Sequence, residues 1–176
     1  MKPQQTGFTL LELIITLTAI TVVVALALPS FQNSLNRNRL ATKSNDIVTA
    51  INLARNEAIT RSQIAGVCPS NDGIACANGA WGQGWIVWTD DNGNNAFDAN
   101  EAVRVNNLAS SANPAEQVQV VATAAIDNGI TFTPLGFVIE AGGGTLTIND
   151  LSGTAGQQSI IQIGTSGRVH RAKVDI

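Results

Sequence analysis

From Phe8 to Leu28 the chain is a run of 21 residues, mostly Leu, Ile, Val, Ala and Thr, with one carboxylate, Glu12, near its front. About 20 residues rising roughly 1.5 Å each cover the ~30 Å of bilayer hydrocarbon, so the run predicts a membrane-spanning helix. A carboxylate inside it costs roughly 2.5 to 3.5 kcal/mol on insertion scales; Glu12 therefore has a partner or a task, or lies near enough to the interface to snorkel. Past Pro29 the apolar positions become periodic. Ile47, Ile51, Ala54 and Ala58 recur at helical spacing, Phe31 and Leu35 begin the same stripe, and Arg37, Arg39, Lys43, Arg55 and Arg61 lie off it. The pattern predicts one helix from about Phe8 to Ser62, roughly 80 Å long, whose second half is amphipathic.

From residue 63 onward, β-branched segments alternate with Gly, Asn, Asp and Ser clusters. Strands are expected at 64–68, 84–89, 101–105, 117–123, 129–133, 136–140, 145–149, 159–164 and 168–174, with loops at 110–116 and 151–158. The fold class is therefore α+β: a long N-terminal helix, transmembrane in its first half, packed on an antiparallel β-rich globular head. The organisation read from the sequence is a polar leader at 1–7, a transmembrane helix at 8–29, its amphipathic continuation at 30–62 and the head at 63–176. About 115 residues are enough to bury a core. A cleaved secretory signal fits poorly, because the apolar run is too long, only Lys2 precedes it, and Leu26-Ala27-Leu28-Pro29 is a poor cleavage site.

The net charge of −3 and pI near 5.0 argue against a generally basic nucleic-acid binder, so any DNA contact must come from a local patch. Cys68 and Cys76, separated by the turn-rich "PSNDGIA", read as a disulfide formed in an oxidising compartment such as the periplasm; two unpaired thiols are the alternative. A metal site there would want C-x-x-C pairs or added histidines, and the single histidine is His170.

One loop carries a pattern of oxygen donors. Asp90, Asn92, Asn94, Asp98 and Glu101 occupy positions 1, 3, 5, 9 and 12 of a twelve-residue calcium loop, with Asn95 at the sixth position where glycine is usual. The competing reading is a solvated hairpin between Trp88 and Ala102 that turns at Asn92-Gly93. No cofactor other than this calcium is suggested. The sequence has no P-loop and no G-x-G-x-x-G after a strand, and His170 has no sequence-evident nucleophile, so an enzyme is not expected. Trp81, Trp85 and Trp88 would suit a stacked ligand, but strand alternation through 85–88 places at least one of them in the core.

The residues around the span resemble a known pattern. "GFTLLEL", with Gly7 before Phe8 and Glu12 in the apolar run, is similar to the class III signal of type IV pilins and type II secretion pseudopilins, and Pro29 falls where pilins carry a proline. The resemblance implies a prepilin peptidase that cuts after Gly7 and N-methylates Phe8, leaving 9 basic and 13 acidic residues. It also implies that Glu12 pairs with the N-terminal amine of a neighbouring subunit. An ammonium and a carboxylate buried together neutralise each other, while either alone in lipid is costly. "LARNEAITRSQ" at 53–63, then "WGQGWIVWTDDNGNNAFD" and Arg104, resemble the GspH and FimT branch, with its A-R-x-E-A helix end and G-W-x-V-[FW] strand.

That branch implies a minor type IV pilin of the FimT or FimU kind that helps initiate or cap pilus assembly; a GspH-like pseudopilin of the secretion pseudopilus tip is the close alternative. The implied partners are other pilins or pseudopilins, the peptidase and the bacterial inner membrane, crossed once with the head in the periplasm before the subunit enters a pilus or pseudopilus. The C-terminal "SGRVHRAKV" is similar to a G-R-x-R motif through which some FimT-type pilins bind DNA during uptake, although the second Arg is displaced by one. That similarity marks Arg168, His170, Arg171 and Lys173 as DNA contacts. Alternation on a strand puts 168 and 170 on one face and 171 and 173 on the other, and the plainer reading is an edge strand solubilised by charge.

Overall fold

A computed structural model describes residues 8–79, 81–107, 118–140, 142–150 and 157–175. The first element, α1, is a single helix over Leu10–Arg61. Its start follows a Thr-x-x-Glu pattern: the hydroxyl of Thr9 accepts the Glu12 amide at 3.3 Å, and the Thr9 carbonyl accepts the Leu13 amide. Its end is set by Ser62, at φ 56°, and by a bond from the Gln63 amide to the Ala58 carbonyl, which together close the last turn. Contacts divide the chain into two compact units, Met1–Asn36 and Arg37–Ile176.

In the first unit the described residues from Leu10 on are helical, the large apolar side chains between Leu10 and Leu28 are exposed, and Leu10–Leu28 is long and apolar enough to cross a membrane. The hydroxyls of Thr16, Thr18 and Thr21 donate to carbonyls three or four residues back, so these polar groups are satisfied within the helix. Phe31 and Leu35, expected to open the buried stripe, are exposed; burial begins at Leu40.

The second unit contains two four-stranded antiparallel sheets. The first has the order β3-β2-β1-β5, with β1 at Ala65–Pro69, β2 at Gly84–Thr89, β3 at Ala102–Asn107 and β5 at Ile130–Phe132. The second has the order β4-β6-β7-β8, with β4 at Val118–Ala122, β6 at Gly144–Asp150, β7 at Gln157–Ile163 and β8 at Val169–Asp175. One core joins the α1 stripe of Leu40, Ile47, Ile51, Ala54 and Ala58 to Trp85 and Val87 of the first sheet and to Leu146, Ile148 and Ile161 of the second. Strand β2 is buried on both faces, because Ile86 and Trp88 on its other side form a second cluster with Cys68, flanked by Ile64 and Phe97. Gly66 makes that cluster possible, since a Cβ there would lie 2.9 Å from the Trp88 ring.

Eight of the expected strands are present, each shifted by no more than two residues. The exception is 136–140, which is not a strand and contributes one isolated bridge, Phe132 to Val138. The reason lies in divided pairing: the Val138 amide goes to Thr165, the Ile139 amide goes to Thr131, and the Glu140 carboxylate takes the Thr131 amide that a ladder carbonyl would otherwise accept. The loops expected at 110–116 and 151–158 lie almost wholly outside the described residues, as does the leader at 1–7.

Candidate functional site

Glu12 is exposed in the first turn of α1, three residues after the Thr9 cap. A carboxylate there complements the positive end of the helix, so the position has a local role that the sequence reading did not weigh. Gly7 lies outside the described residues, and Phe8 is exposed ahead of the helix.

The 90–101 loop is closed by its own backbone. Asp90, 4% exposed, accepts the amides of Gly93 and Asn94 on Oδ1 and that of Asn95 on Oδ2, at 2.7 to 3.0 Å. Glu101, 2% exposed, accepts Asp91 and Asn92 on Oε1 and Asp98 on Oε2. The side-chain amides of Asn92 and Asn94 both donate to Asp98 Oδ2, at 2.6 and 2.8 Å. Asn95 takes up the left-handed conformation, at φ 61°, that glycine usually supplies at the sixth position. Buried carboxylates need donors, and here peptide amides provide them. Among the described residues no three His, Cys, Asp or Glu side chains come together as a metal-ligating group. Phe97 packs on Trp88 with ring centroids 6.3 Å apart, so the loop also covers the outer face of the first sheet.

Cys68 and Cys76 form a disulfide with Cα atoms 5.6 Å apart. The loop between them is organised around Asp72, whose Oδ1 accepts the amides of Ile74 and Ala75 and the Ser70 hydroxyl. The Ala75 amide, then that of Ile74, holds the Asp72 carboxyl below its ordinary range.

The C-terminal basic residues do not share one face. In the β7–β8 register, Arg171 lies opposite Ile161, which is buried, while His170 lies opposite Gln162, which is exposed. Arg171 turns towards α1 and donates to the Asn45 side chain. Lys173 is the register partner of Ser159. Arg168 stands before β8, exposed, with its carbonyl accepting the Gly164 amide.

Two polar contacts that sequence reasoning passed over position this hairpin. Arg55 donates Nε to the Gly136 carbonyl at 3.0 Å and Nη2 to the Ser166 carbonyl at 3.3 Å. Ser44 and Ser159, both buried, share a hydrogen bond at 2.8 Å. The only signal for Arg55 was its place inside A-R-x-E-A. Nothing in the sequence marked the serine pair.

Comparison with known proteins agrees with this architecture. The family model described as type II transport protein GspH matches residues 43–167, and that for the prokaryotic N-terminal methylation motif matches residues 2–28. Among solved structures, the type IV minor pilin FimU of Pseudomonas aeruginosa strain PAO1 is 20% identical, with a TM-score of 0.57, over 77% of this chain and 90% of that one. The minor pseudopilin EpsH from the type 2 secretion system of Vibrio cholerae is 14% identical, with a TM-score of 0.51, over 77% of this chain and 97% of that one. At these identities the likeness is one of fold. No curated protein matches the chain.

Proposed function

From the premise that the chain belongs to the type II transport protein GspH family, and so is a pilin-type subunit of a type IV pilus or a type II secretion system, we propose that it is a minor type IV pilin. In this reading it initiates or caps a pilus. Prepilin peptidase removes residues 1–7 and methylates Phe8; residues 10–28 hold the subunit in the inner membrane; the head lies in the periplasm and then in the filament. In this reading the chain itself is a structural subunit, not an enzyme.

The observation that carries the reading is the Leu10–Leu28 span, apolar on all sides, with Glu12 as its only ionisable residue. A span whose apolar side chains are exposed among the described residues is suited to packing among other such helices. Within such a bundle Glu12 neutralises the free amine that cleavage creates on a neighbour. The tilt towards a pilus comes from the D-x-N-G-N segment at 90–94. The runner-up, a pseudopilin at the tip of a secretion pseudopilus, uses the same helix chemistry. Contact with DNA during uptake would fall to Arg168 and His170, because Arg171 is turned to α1.

Glu12→Gln and Glu12→Ala both remove the charge on which the pairing depends, and Glu12→Gln does so with little change in size. Assembly is expected to fail in both, and mass spectrometry of the wild type is expected to find a methylated Phe8 at the N-terminus. Normal incorporation of Glu12→Gln into filaments, at normal protein levels, would overturn the pairing role. Loss of twitching on deletion supports the pilus, and loss of exoprotein release supports the pseudopilus.

A further inference from the structure

The two ends of the disulfide stand in different surroundings. Cys68 is on β1, an interior strand of the first sheet between β2 and β5, and is 4% exposed. Ile86 and Trp88 pack against it, and a Cβ on Gly129 would lie 3.3 Å from the Cys68 Cβ. Cys76 belongs to the loop that follows and is exposed, as are Ile74 and Ala75 before it. An outside group therefore meets the bond at the Cys76 sulfur.

The loop also holds Cys76 by means other than the covalent bond. Asp72 Oδ1 accepts the amides of Ile74 and Ala75 at 2.8 and 3.0 Å. The hydroxyl of the buried Ser70 accepts the Gly73 amide at 2.9 Å and donates to the Ala75 carbonyl at 2.7 Å. The Ala77 amide, just after Cys76, donates to the carbonyl of Pro69, just after Cys68, at 2.7 Å. The backbone beside one sulfur is thus tied to the backbone beside the other, and the two thiols stay neighbours when the bond is open.

Thiol–disulfide exchange starts when a thiolate attacks one sulfur and expels the other, so access decides which sulfur is attacked. We infer that Cys76 is the exchange sulfur of this protein, open to external disulfides and thiols, and that Cys68 is its buried resolving partner. To close the bond, the Cys76 thiolate attacks an external disulfide, forms a mixed disulfide and expels one external thiolate. Cys68 then gives up its proton and attacks the Cys76 sulfur, which expels the second external thiolate. The two cysteines lose two electrons, the external disulfide gains them as two thiols, and the two cysteine protons pass to the expelled thiolates. Opening runs in reverse: an external thiolate attacks Cys76 and expels Cys68 into apolar surroundings, where a charge is costly. The expelled sulfur stays beside the one it left and closes the bond again, so the disulfide forms readily and is reduced slowly. The same chemistry serves a pilus or a pseudopilus subunit.

The test uses the full chain in detergent, reduced and then freed of reductant. Substoichiometric iodoacetamide is added, and fragment-ion mass spectrometry locates the label. Cys76 is expected to be labelled about tenfold or more over Cys68 in native buffer, and the two equally in urea. Oxidised glutathione then probes the exchange itself. Cys68→Ala is expected to take glutathione on Cys76 at a similar rate in native buffer and in urea, whereas Cys76→Ala takes it on Cys68 about tenfold or more slowly in native buffer than in urea. Equal labelling of the two cysteines of the reduced wild type in native buffer, or a preference for Cys68, overturns the inference. So does a Cys76→Ala chain that reacts with glutathione as fast in native buffer as in urea while its tryptophan fluorescence stays native.

Discussion

Arg55 holds the carbonyl of Gly136 at 3.0 Å through Nε, and the same guanidinium reaches Ser166 across more than a hundred residues of sequence. One side chain of α1 thus fastens two turns, and the close fit is visible at Gly167, where a Cβ would lie 2.8 Å from Arg55 Nε. Two charge-assisted bonds in a half-buried site contribute about 1 to 3 kcal/mol together. Arg55→Ala is expected to lower the unfolding free energy of the full chain in detergent by that amount, read as a fall in the urea midpoint. Arg55→Lys recovers little, since an ammonium cannot reproduce the fork. A midpoint unchanged in Arg55→Ala would remove the clamp from the account.

The contrast between Arg55 and its neighbours shows what the sequence could and could not reveal. Ile47, Ile51, Ala54 and Ala58 were legible because burial on a helix leaves a period, and the strands were legible because β-branched runs ended at turn residues. Position 136–140 looked like one more strand because its composition is right, but its amides go to three different partners, and nothing local specifies that. The oxygen donors of the 90–101 loop were legible by spacing alone. Spacing says nothing of the loop amides that the carboxylates of Asp90 and Glu101 accept. Phe31 and Leu35 extended the apolar period into a stretch that is exposed among the described residues.

Because the loop supplies its own donors, its stability is expected to be independent of calcium. Glu101→Gln replaces one accepting oxygen with a donor facing peptide amides, and a cost of about 2 to 3 kcal/mol is expected with or without calcium. Thermal midpoints of the wild type in millimolar calcium and in chelator should coincide. A saturable rise with calcium that disappears in Asp98→Ala would restore the ion to the loop.

DNA binding should be weak, because His170 and Arg171 point to opposite sides of β8 and Arg171 is engaged by Asn45. With few cations free to meet one phosphate backbone, the log-log slope of affinity against salt is expected to be only about −1 to −2. Arg168→Ala should reduce that binding more than Arg171→Ala. A slope of several units, with equal losses in both variants, would require a different arrangement of the strand.

Acid should loosen the disulfide loop. Asp72 is held below its ordinary value of 3.8 by the amides of Ala75 and Ile74, with the Ser70 hydroxyl adding to them and slight desolvation opposing them. A carboxyl depressed in the folded state contributes stability that is present above the unfolded value and lost as pH falls through the folded one. The window therefore lies below about pH 4. Asp72→Asn removes the charge at every pH, so the gap in thermal midpoint between wild type and variant should be constant from neutral pH down to about 5 and should close below about 4. The same gap is expected after reduction of Cys68–Cys76, because the Asp72 bonds organise the loop without the covalent link. A gap that does not change with pH would mean that the amides hold Asp72 no more tightly in the folded chain than water does in the unfolded one.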